Sequence, residues 1–417
     1  MSSLLSSNLP SRVHRLREAL REAGINVFIA TKPETIHWVS RFNPIIQSMP
    51  AVVLVYCTGD PTLLVNAIRE PRAREKSFLK DIRAYGNWFG RPSIAPDWNS
   101  ALKKVLDERG LVNGKIAIEE EGISAGDLRR LTSLLSDASF SDISTRLQEL
   151  RRIKDDDEIV DISKAAILAD IGVAAGVKAV QEQQSELVAV GAARAAMNSY
   201  RVEHFPEIDV CGFGSRESGQ HNALGCWVLA GDRVHHRTDS PTTKVAQNGE
   251  MASVLVWANC NGYYAEKEAS VCIGEVRPTT EKALEAIRAA TDACLARLAP
   301  GTPVKEIYAA ACDVFVKYGF GAHLPSRVGH GIGLGSHEAM SINASSGLMI
   351  EKNMTITIEP NLSIPDGPGT QFSNTIAITE TKYRHLTKPV EFMAPHKPLA
   401  AVETSAVRRI CEDSHGI

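Results

Sequence analysis

The segment GHGIGLGSHE, residues 329–338, holds two histidines, His330 and His337, seven residues apart among several glycines. Imidazole side chains serve as metal ligands and as general acids or bases near neutral pH. Glycines allow a close approach between the backbone and a ligand. A phosphate-binding loop is not indicated, because the GxxxxGK pattern is absent. The segment is therefore a candidate functional site, and a pair of structural histidines is the alternative.

Three glutamates occur in or beside segments that resemble strands. Glu359 ends the apolar segment TITIE, and a buried carboxylate there is costly unless it has a partner. Glu266 and Glu268 alternate in YYAEKEASVC, so both side chains should lie on one face of a strand. Two like charges on one face need a metal, a cationic ligand or a shared proton. A solvent-facing strand edge is the alternative explanation.

Apolar periodicity predicts the elements that position these residues. Val13, Leu16 and Leu20 lie on one face of a first helix that Gly24 should end. The following strands should form a small mixed α/β layer, in which the second and third make a hairpin: 25–31, 51–57, 62–67, 82–86 and 115–120. The acidic run 155–158 is interpreted as a solvated hinge that opens a long helix, where the helix dipole favours it.

Two amphipathic helices and several strands are predicted in the second half of the chain. The helical segments are 281–301 and 303–319, and the strand-like ones are 252–260, 263–274, 354–360 and 374–380. Six aromatic residues could form an apolar or cation-binding wall, although core packing is their usual role. The residues in question are Trp88, Phe89, Trp227, Trp257, Tyr263 and Tyr264.

Composition excludes several classes of function. The 417 residues include 46 Lys and Arg against 49 Asp and Glu, a net charge of -3, which gives a nucleic acid no excess positive charge to bind. The apolar runs fall far short of the roughly 20 residues of a membrane helix, and the start is not typical of a signal peptide. The eight cysteines include no CxxC, which favours reduced thiols in a cytoplasmic protein. Neither a nucleic acid nor a membrane is an expected partner.

Taken in order, five segments resemble the creatinase/aminopeptidase P/methionine aminopeptidase superfamily: 153–166, 244–250, 329–338, 354–360 and 374–380. The resemblance implies an α+β fold, in which a pita-bread catalytic domain follows a smaller α/β N-terminal domain. The expected boundaries are 1–155 for the creatinase-like N-terminal domain, 156–400 for the catalytic domain and 401–417 for a tail. The resemblance also implies a homodimer, in which the N-terminal domain of one subunit closes the active site of the other.

Metallopeptidases of this superfamily bind two divalent cations through two aspartates, one histidine and two glutamates. The matching positions here are Leu255, Glu266, His330, Glu359 and Ser373. Leucine cannot coordinate a cation, and serine is a poor neutral ligand. We therefore expect no dinuclear centre and no cofactor, with a single weakly bound ion as the alternative.

The creatinase branch of the superfamily works without a metal, and the resemblance to it implies catalytic roles. Its acid/base histidine corresponds to His235 or His236, and the two glutamates that grip a guanidinium correspond to Glu268 and Glu359. His330 joins this catalytic set. The expected substrate-binding residues are His337, Glu266, Trp257 and Tyr264. The arginines that hold the carboxylate of creatine have no counterpart at 47–50 or near Ser341, which argues against creatine itself.

The sequence therefore predicts a metal-independent hydrolase of a non-peptide C–N bond (amide, amidine or guanidine) in a small molecule, similar to creatinase or ectoine hydrolase. In this hypothesis His235 or His236 moves a proton to the leaving nitrogen, and Glu268 is the base or the nucleophile. Two alternatives stay open. One is a metal-dependent Xaa-Pro aminopeptidase or dipeptidase, and the other is a catalytically inactive pita-bread protein that binds a partner.

Overall fold

The computed structural model describes residues 9–213 and 223–389, so the predicted tail 401–417 lies outside the described residues. The first part of the chain forms a six-stranded mixed sheet in the order β4-β3-β2-β1-β5-β6. Its strands are β1 (Val27–Ala30), β2 (Val52–Tyr56), β3 (Thr62–Asn66), β4 (Asp81–Tyr85), β5 (Lys115–Ile118) and β6 (Ser139–Asp142). The predicted hairpin is confirmed, because β2 and β3 pair in antiparallel register. Strand β6 was not predicted, since its sequence SFSD has a single apolar residue.

Six helices accompany this sheet: α1 (Ser11–Glu22), α2 (Pro33–Ser40), α3 (Glu70–Lys76), α4 (Trp98–Asp107), α5 (Ala125–Leu134) and α6 (Ser144–Arg152). The predicted first helix is confirmed. Helix α1 buries Val13, Leu16 and Leu20, and Gly24 follows it with a left-handed φ of 66°. Glycine adopts that conformation without steric cost, which is why helices often end beside one.

The second part of the chain builds an antiparallel sheet in the order β11-β10-β12-β13-β9-β8-β7, with β14 paired to β13. Its strands are β7 (Gly225–Ala230), β8 (Met251–Cys260), β9 (Tyr263–Cys272), β10 (His330–Gly331), β11 (Glu338–Ser341), β12 (Thr355–Ile358), β13 (Ser373–Ile378) and β14 (Tyr383–His385). Its helices are α7 (Asp156–Gln181), α8 (Glu186–His204), α9 (Pro278–Leu295) and α10 (Val304–Lys317). Among the described residues, none of the helices has the length and apolar character that crossing a membrane requires.

The long hairpin β8–β9 decides where polar side chains can gather. Val254 faces helix α7, where its side chain packs closely on Gly176. Because side chains alternate along a strand, the neighbouring Leu255 points to the opposite face. Leu255 pairs directly with Glu268, and Trp257 pairs with Glu266. Both glutamates therefore lie on the face away from α7, as the sequence predicted.

The acidic run at the start of α7 is not a solvated hinge, in contrast to the sequence interpretation. Asp155 and Glu158 form a capping box at the N-terminus of the helix. The fully buried Arg12 of α1 donates to Asp155 Oδ2 at 3.3 Å and to Asp157 Oδ1 at 2.9 Å. Arg15 donates to Asp155 Oδ1 at 2.7 Å. The run was misinterpreted because the arginines that pair with it lie about 140 positions earlier in the sequence.

We expect Arg12→Ala to lower the free energy of unfolding by about 3 kcal/mol, because it removes the fully buried cation that Asp155 and Asp157 share and leaves them only the more exposed Arg15 and Arg41. Denaturant unfolding of the variant measures the change. Arg146→Ala is the matched control, because Arg146 forms an exposed pair with Glu149 and its loss should cost about 0.5 kcal/mol or less. Equal losses for the two variants would contradict the structural role of Arg12.

Candidate active site

Three strands of the second sheet bring the candidate residues together. Strand β9 carries Glu266 and Glu268, β10 starts with His330, and Glu359 directly follows β12. The close packing of β10 against β12 requires the glycine before His330, since a Cβ at Gly329 would lie 2.2 Å from the Thr357 carbonyl oxygen. The backbone N–H of His330 also donates to Thr357 Oγ1 at 3.1 Å. The sheet therefore fixes the position of this histidine.

The carboxylates and His330 form one buried cluster. Nε2 of His330 lies 3.4 Å from Glu266 Oε2 and 3.8 Å from Glu359 Oε1. One carboxylate oxygen from each of Glu266, Glu268 and Glu359 lies within 4.8 Å of the others. Donor atoms of Glu266, His330 and His337 meet the same limit. Atoms this close can share one bound cation.

The two nitrogens of His330 have different surroundings. Nδ1 donates to the carbonyl oxygen of Gly331 at 2.9 Å, which leaves the lone pair on Nε2 when the ring is neutral. Nε2 is buried and has no hydrogen-bond partner among the described residues. A buried polar atom without a partner is costly, and this one faces two carboxylates. The arrangement therefore requires either a proton or a metal ion on Nε2.

Glu266 is held from two sides, and an aromatic wall surrounds it. The indole N–H of Trp257 donates to Glu266 Oε2, and the hydroxyl of Ser373 donates to Glu266 Oε1 at 2.5 Å. The Trp257 ring lies edge-on to Trp227 at 5.0 Å and to His337 at 5.3 Å between centroids. Of the expected substrate-binding residues, Trp257 thus contacts the cluster through Glu266, and His337 contacts Trp257.

Burial and mutual repulsion shift the pKa values of the carboxylates. Burial, with the charge of Glu266, raises the pKa of Glu359 to about 7. Burial, with the charges of Glu266 and Glu359, raises the pKa of Glu268 well above its usual range. Burial by itself lowers the pKa of the His330 imidazole. The adjacent Glu266 acts in the opposite direction, and the pKa of His330 is raised overall. Without a bound cation, the cluster therefore retains protons near neutral pH.

Three other expected site residues make their hydrogen bonds elsewhere. His236 is half exposed and pairs with Asp239 at 3.0 Å. His235 contacts the loop 363–369, with Nδ1 2.8 Å from Ser363 Oγ. Within the described part of the chain, neither histidine has a hydrogen bond to the glutamate cluster. The backbone N–H of Tyr264 donates to the Gly333 carbonyl oxygen at 2.7 Å, and its phenol lies near Asn259.

Two side chains beside the cluster were not predicted. Nε of Arg327 lies 3.2 Å from Glu359 Oε1, and the arginine side chain is 39% exposed. The side-chain amide of Gln371 donates to Glu268 Oε1 at 3.5 Å and to the Arg237 carbonyl at 3.1 Å. For Arg327 the sequence carried a signal, a cation three residues before His330 and just outside the segment 329–338. For Gln371 it carried none.

A buried ion pair supports the loop that joins the two site histidines. Nζ of Lys154 is 2.6 Å from Glu338 Oε2, and the lysine side chain is only 2% exposed. Glu338 Oε1 accepts the backbone N–H of Leu334 at 3.1 Å. A Cβ at Gly333 would lie 2.5 Å from Glu338 Oε1, so the glycine permits this packing. Lys154, from the linker before α7, therefore positions the loop between His330 and His337.

A family model described as metallopeptidase family M24 matches residues 161–380, more than half of the chain. The chain belongs to this family. A second model, the creatinase/prolidase N-terminal domain, matches residues 12–153. The expected superfamily is thus confirmed.

Relatives and solved structures agree with this assignment. YkvY, a putative dipeptidase of Bacillus subtilis (strain 168), is 24% identical over 372 residues, which cover 89% of this chain and 95% of that protein. The Xaa-Pro dipeptidase from Bacillus anthracis has a TM-score of 0.77 at 20% identity, covering 91% of this chain and 98% of that one. The X-Pro aminopeptidase from Thermotoga maritima has a TM-score of 0.74 at 20% identity, covering 91% of this chain and 98% of that one. The expected α+β pita-bread fold with a smaller N-terminal α/β domain is confirmed.

The expected metal-independent hydrolysis of a non-peptide bond is wrong. The family is one of metallopeptidases, and the relative and the two solved structures described above are named as a putative dipeptidase, an Xaa-Pro dipeptidase and an X-Pro aminopeptidase. The broader expectation, a hydrolase that acts on carbon–nitrogen bonds, is confirmed by membership of this peptidase family. The replacement of two metal ligands by Leu255 and Ser373 therefore does not remove the chain from the metallopeptidases.

The usual pair of metal ions does not fit this site, but one ion does. Leu255 offers no ligand atom, and the Ser373 hydroxyl is neutral and donates to Glu266. The retained positions, however, still present buried carboxylate oxygens of Glu266 and Glu359 beside the unpartnered Nε2 of His330. Imidazole and carboxylate together form a donor set typical of divalent transition metals.

We expect Lys154→Met to lower the free energy of unfolding by about 3 kcal/mol, because Glu338 then lacks its cation in a buried setting. Glu338→Gln should be destabilising for the same reason. The double variant Lys154→Met/Glu338→Gln should recover more than half of the summed loss, since neither charge is then left alone. Denaturant unfolding measures the cycle, and hydrogen exchange of the Leu334 amide reports on the loop. Strictly additive losses would contradict the role of this pair.

Proposed function

We propose that the chain is a metal-dependent dipeptidase of the Xaa-Pro type, which hydrolyses the peptide bond of short peptides. The observation that carries the proposal is the buried cluster of Glu266, His330 and Glu359, in which Nε2 of His330 has no hydrogen-bond partner. The names of the relatives, a putative dipeptidase and Xaa-Pro peptidases, support the same substrate class.

Glu266, His330 and Glu359 are the residues that would hold a divalent cation. When bound, such an ion supplies a hydroxide from water near neutral pH and polarises the peptide carbonyl. Trp257 and Ser373 orient the Glu266 carboxylate by donating to both of its oxygens. Such outer hydrogen bonds fix the direction in which a carboxylate ligand points.

The residues at the rim of the cluster would bind the peptide. His337 is exposed beside His330, with 4.2 Å between the ring centroids, so its ring N–H can donate to the oxygen of the scissile carbonyl. Arg327 keeps guanidinium N–H groups at the surface while it pairs with Glu359, and it can hold the carboxylate of a dipeptide. Trp227 and Trp257 exclude water on one side. A free carboxylate within reach of Arg327 would restrict the substrates to very short peptides.

The assembly and the compartment are further proposals. We propose a homodimer in which the N-terminal domain of one subunit closes the active site of the other, as the family resemblance implies. We also propose a cytoplasmic location, because the eight cysteines of the sequence include no CxxC and are scattered, a pattern that favours reduced thiols.

The purified chain, supplied with Mn²⁺ or Co²⁺, should hydrolyse Xaa-Pro dipeptides, and EDTA should abolish the activity. His330→Ala should reduce kcat/KM by more than about 100-fold, because loss of a ligand should exceed the 10- to 100-fold effect of losing an outer hydrogen bond. His236→Ala is the matched control and should keep most of the activity, because that side chain pairs with Asp239 outside the cluster. Amino-acid release, followed by chromatography, measures both variants.

Two outcomes would contradict the proposal. Hydrolysis that survives complete chelation would exclude a metal-dependent reaction. Dipeptide binding without hydrolysis under any metal would instead favour the alternative of a binding protein that has lost catalysis.

A further inference from the structure

Glu268 occupies an unusual position relative to the missing metal ligand. By the family resemblance, Leu255 corresponds to the first metal-binding aspartate of the superfamily's metallopeptidases. Leu255 and Glu268 are direct partners across the antiparallel pair β8–β9. Side chains of directly opposed residues lie on the same face of a sheet, with Cβ atoms about 4.5–5.5 Å apart. A carboxylate at 268 can therefore reach the space that a carboxylate at 255 would have used.

We propose that Glu268 is a metal ligand that replaces the lost aspartate, so that one divalent cation is bound by Glu266, Glu268, Glu359 and His330. The proposal rests on the metal-dependent reaction proposed above and goes beyond it in the ligand set and in the number of ions. Compared with a metallopeptidase that has an aspartate at position 255, the carboxylate lies on β9 instead of β8. Both positions are on the same face of the sheet, so the cation would bind on that face in either case.

The distances in the cluster agree with a shared ion. Divalent cations bind oxygen and nitrogen ligands at about 2.0–2.2 Å, so two ligand atoms of one ion lie at most about 4.4 Å apart. One carboxylate oxygen from each of Glu266, Glu268 and Glu359 already lies within 4.8 Å of the other two. Shifts of a few tenths of an ångström in the side chains bring all three within the range of one ion.

A second observation distinguishes this cluster from an ordinary group of acidic residues. Nε2 of His330, whose side chain is 1% exposed, faces Glu266 and Glu359 without a hydrogen bond. Oε1 of the buried Gln371 also has no hydrogen-bond partner among the described residues, while its Nε2 donates to Glu268. A histidine lone pair that points at carboxylate oxygens is repelled, so this geometry needs a proton or a metal ion between them, and a metal ion is the one that also joins the third carboxylate.

The charges around the cluster leave room for a cation. Of the three carboxylates, Glu359 has an ion pair with an arginine, Arg327, which is partly exposed. Glu266 is held by the neutral donors Trp257 and Ser373. Glu268 is opposed by the apolar Leu255 and contacts the neutral Gln371, and the nearby cation Arg237 donates to the Thr370 carbonyl oxygen. A dication placed among them satisfies the carboxylates and the imidazole at once, and three oxygens with one nitrogen suit Mn²⁺.

The test is a titration of the metal-free full chain with Mn²⁺ alone. Calorimetry measures the binding, and so does the loss of the electron paramagnetic resonance signal of free Mn²⁺. The wild type should bind one Mn²⁺ per chain. Glu268→Gln keeps the size of the side chain and removes the charge, and it should weaken binding at least 10-fold. Leu255→Asp/Glu268→Gln returns the carboxylate to the other strand and should recover affinity to within about threefold of the wild type.

Glu250→Gln is the matched control, because it removes a carboxylate from the residue just before β8, where Glu250 pairs with Lys244. It should leave Mn²⁺ affinity unchanged. Circular dichroism and thermal unfolding check that each variant is folded, and if the double variant is unfolded, Glu268→Asp replaces it, with affinity expected between those of wild type and Glu268→Gln.

Wild-type affinity in Glu268→Gln, or two ions per chain in the wild type, would overturn the inference. Because the titration needs no substrate, it is independent of the assay for peptide hydrolysis. Mn²⁺ binding that depends on Glu268, without peptidase activity, would refute the proposed function alone. Peptidase activity together with a Mn²⁺ affinity that Glu268→Gln leaves unchanged would refute this inference alone.

Discussion

The burial of three carboxylates around one histidine is the constraint on which the rest of this site depends. Glu266, Glu268 and Glu359 approach within 4.8 Å of each other in the interior of a sheet, where like charges repel strongly. A fold can retain such a group when protons or a cation balance the charge. The hydrogen bonds to Glu266 and the unpartnered Nε2 of His330 are consistent with a cation.

Rigid supports hold this cluster in place. The hairpin β8–β9 fixes two of the glutamates through ten directly paired positions. The ion pair of Lys154 with Glu338 anchors the loop between the two site histidines. The same linker continues into the acidic N-terminus of α7, which Arg12 and Arg15 bind from the first helix of the chain. The N-terminal layer is thus joined by charge pairs to the segment that positions the site.

Local patterns predicted much of the fold and the main members of the cluster. Strand alternation placed Glu266 and Glu268 on one face, and the strand before Glu359 was recognised from its apolar run. Contacts between distant segments could not be predicted in this way. Lys154 and Asp155 resembled a solvated hinge because Glu338 and Arg12 lie far away in the sequence. The pairing of Leu255 with Glu268 depends on a register that no local pattern specifies. For that reason the lost aspartate was first interpreted as a lost metal site.

Anomalous diffraction tests the central claim most directly. A crystal of the full chain soaked in Mn²⁺ and measured at the manganese absorption edge reveals the position of any bound ion. The account predicts one strong peak per chain, within about 2.0–2.3 Å of ligand atoms from Glu266, Glu268, Glu359 and His330. The absence of a peak among these side chains would contradict the account. A peak for an ion that is bound by His330 and His337 but not by Glu268 would also contradict it.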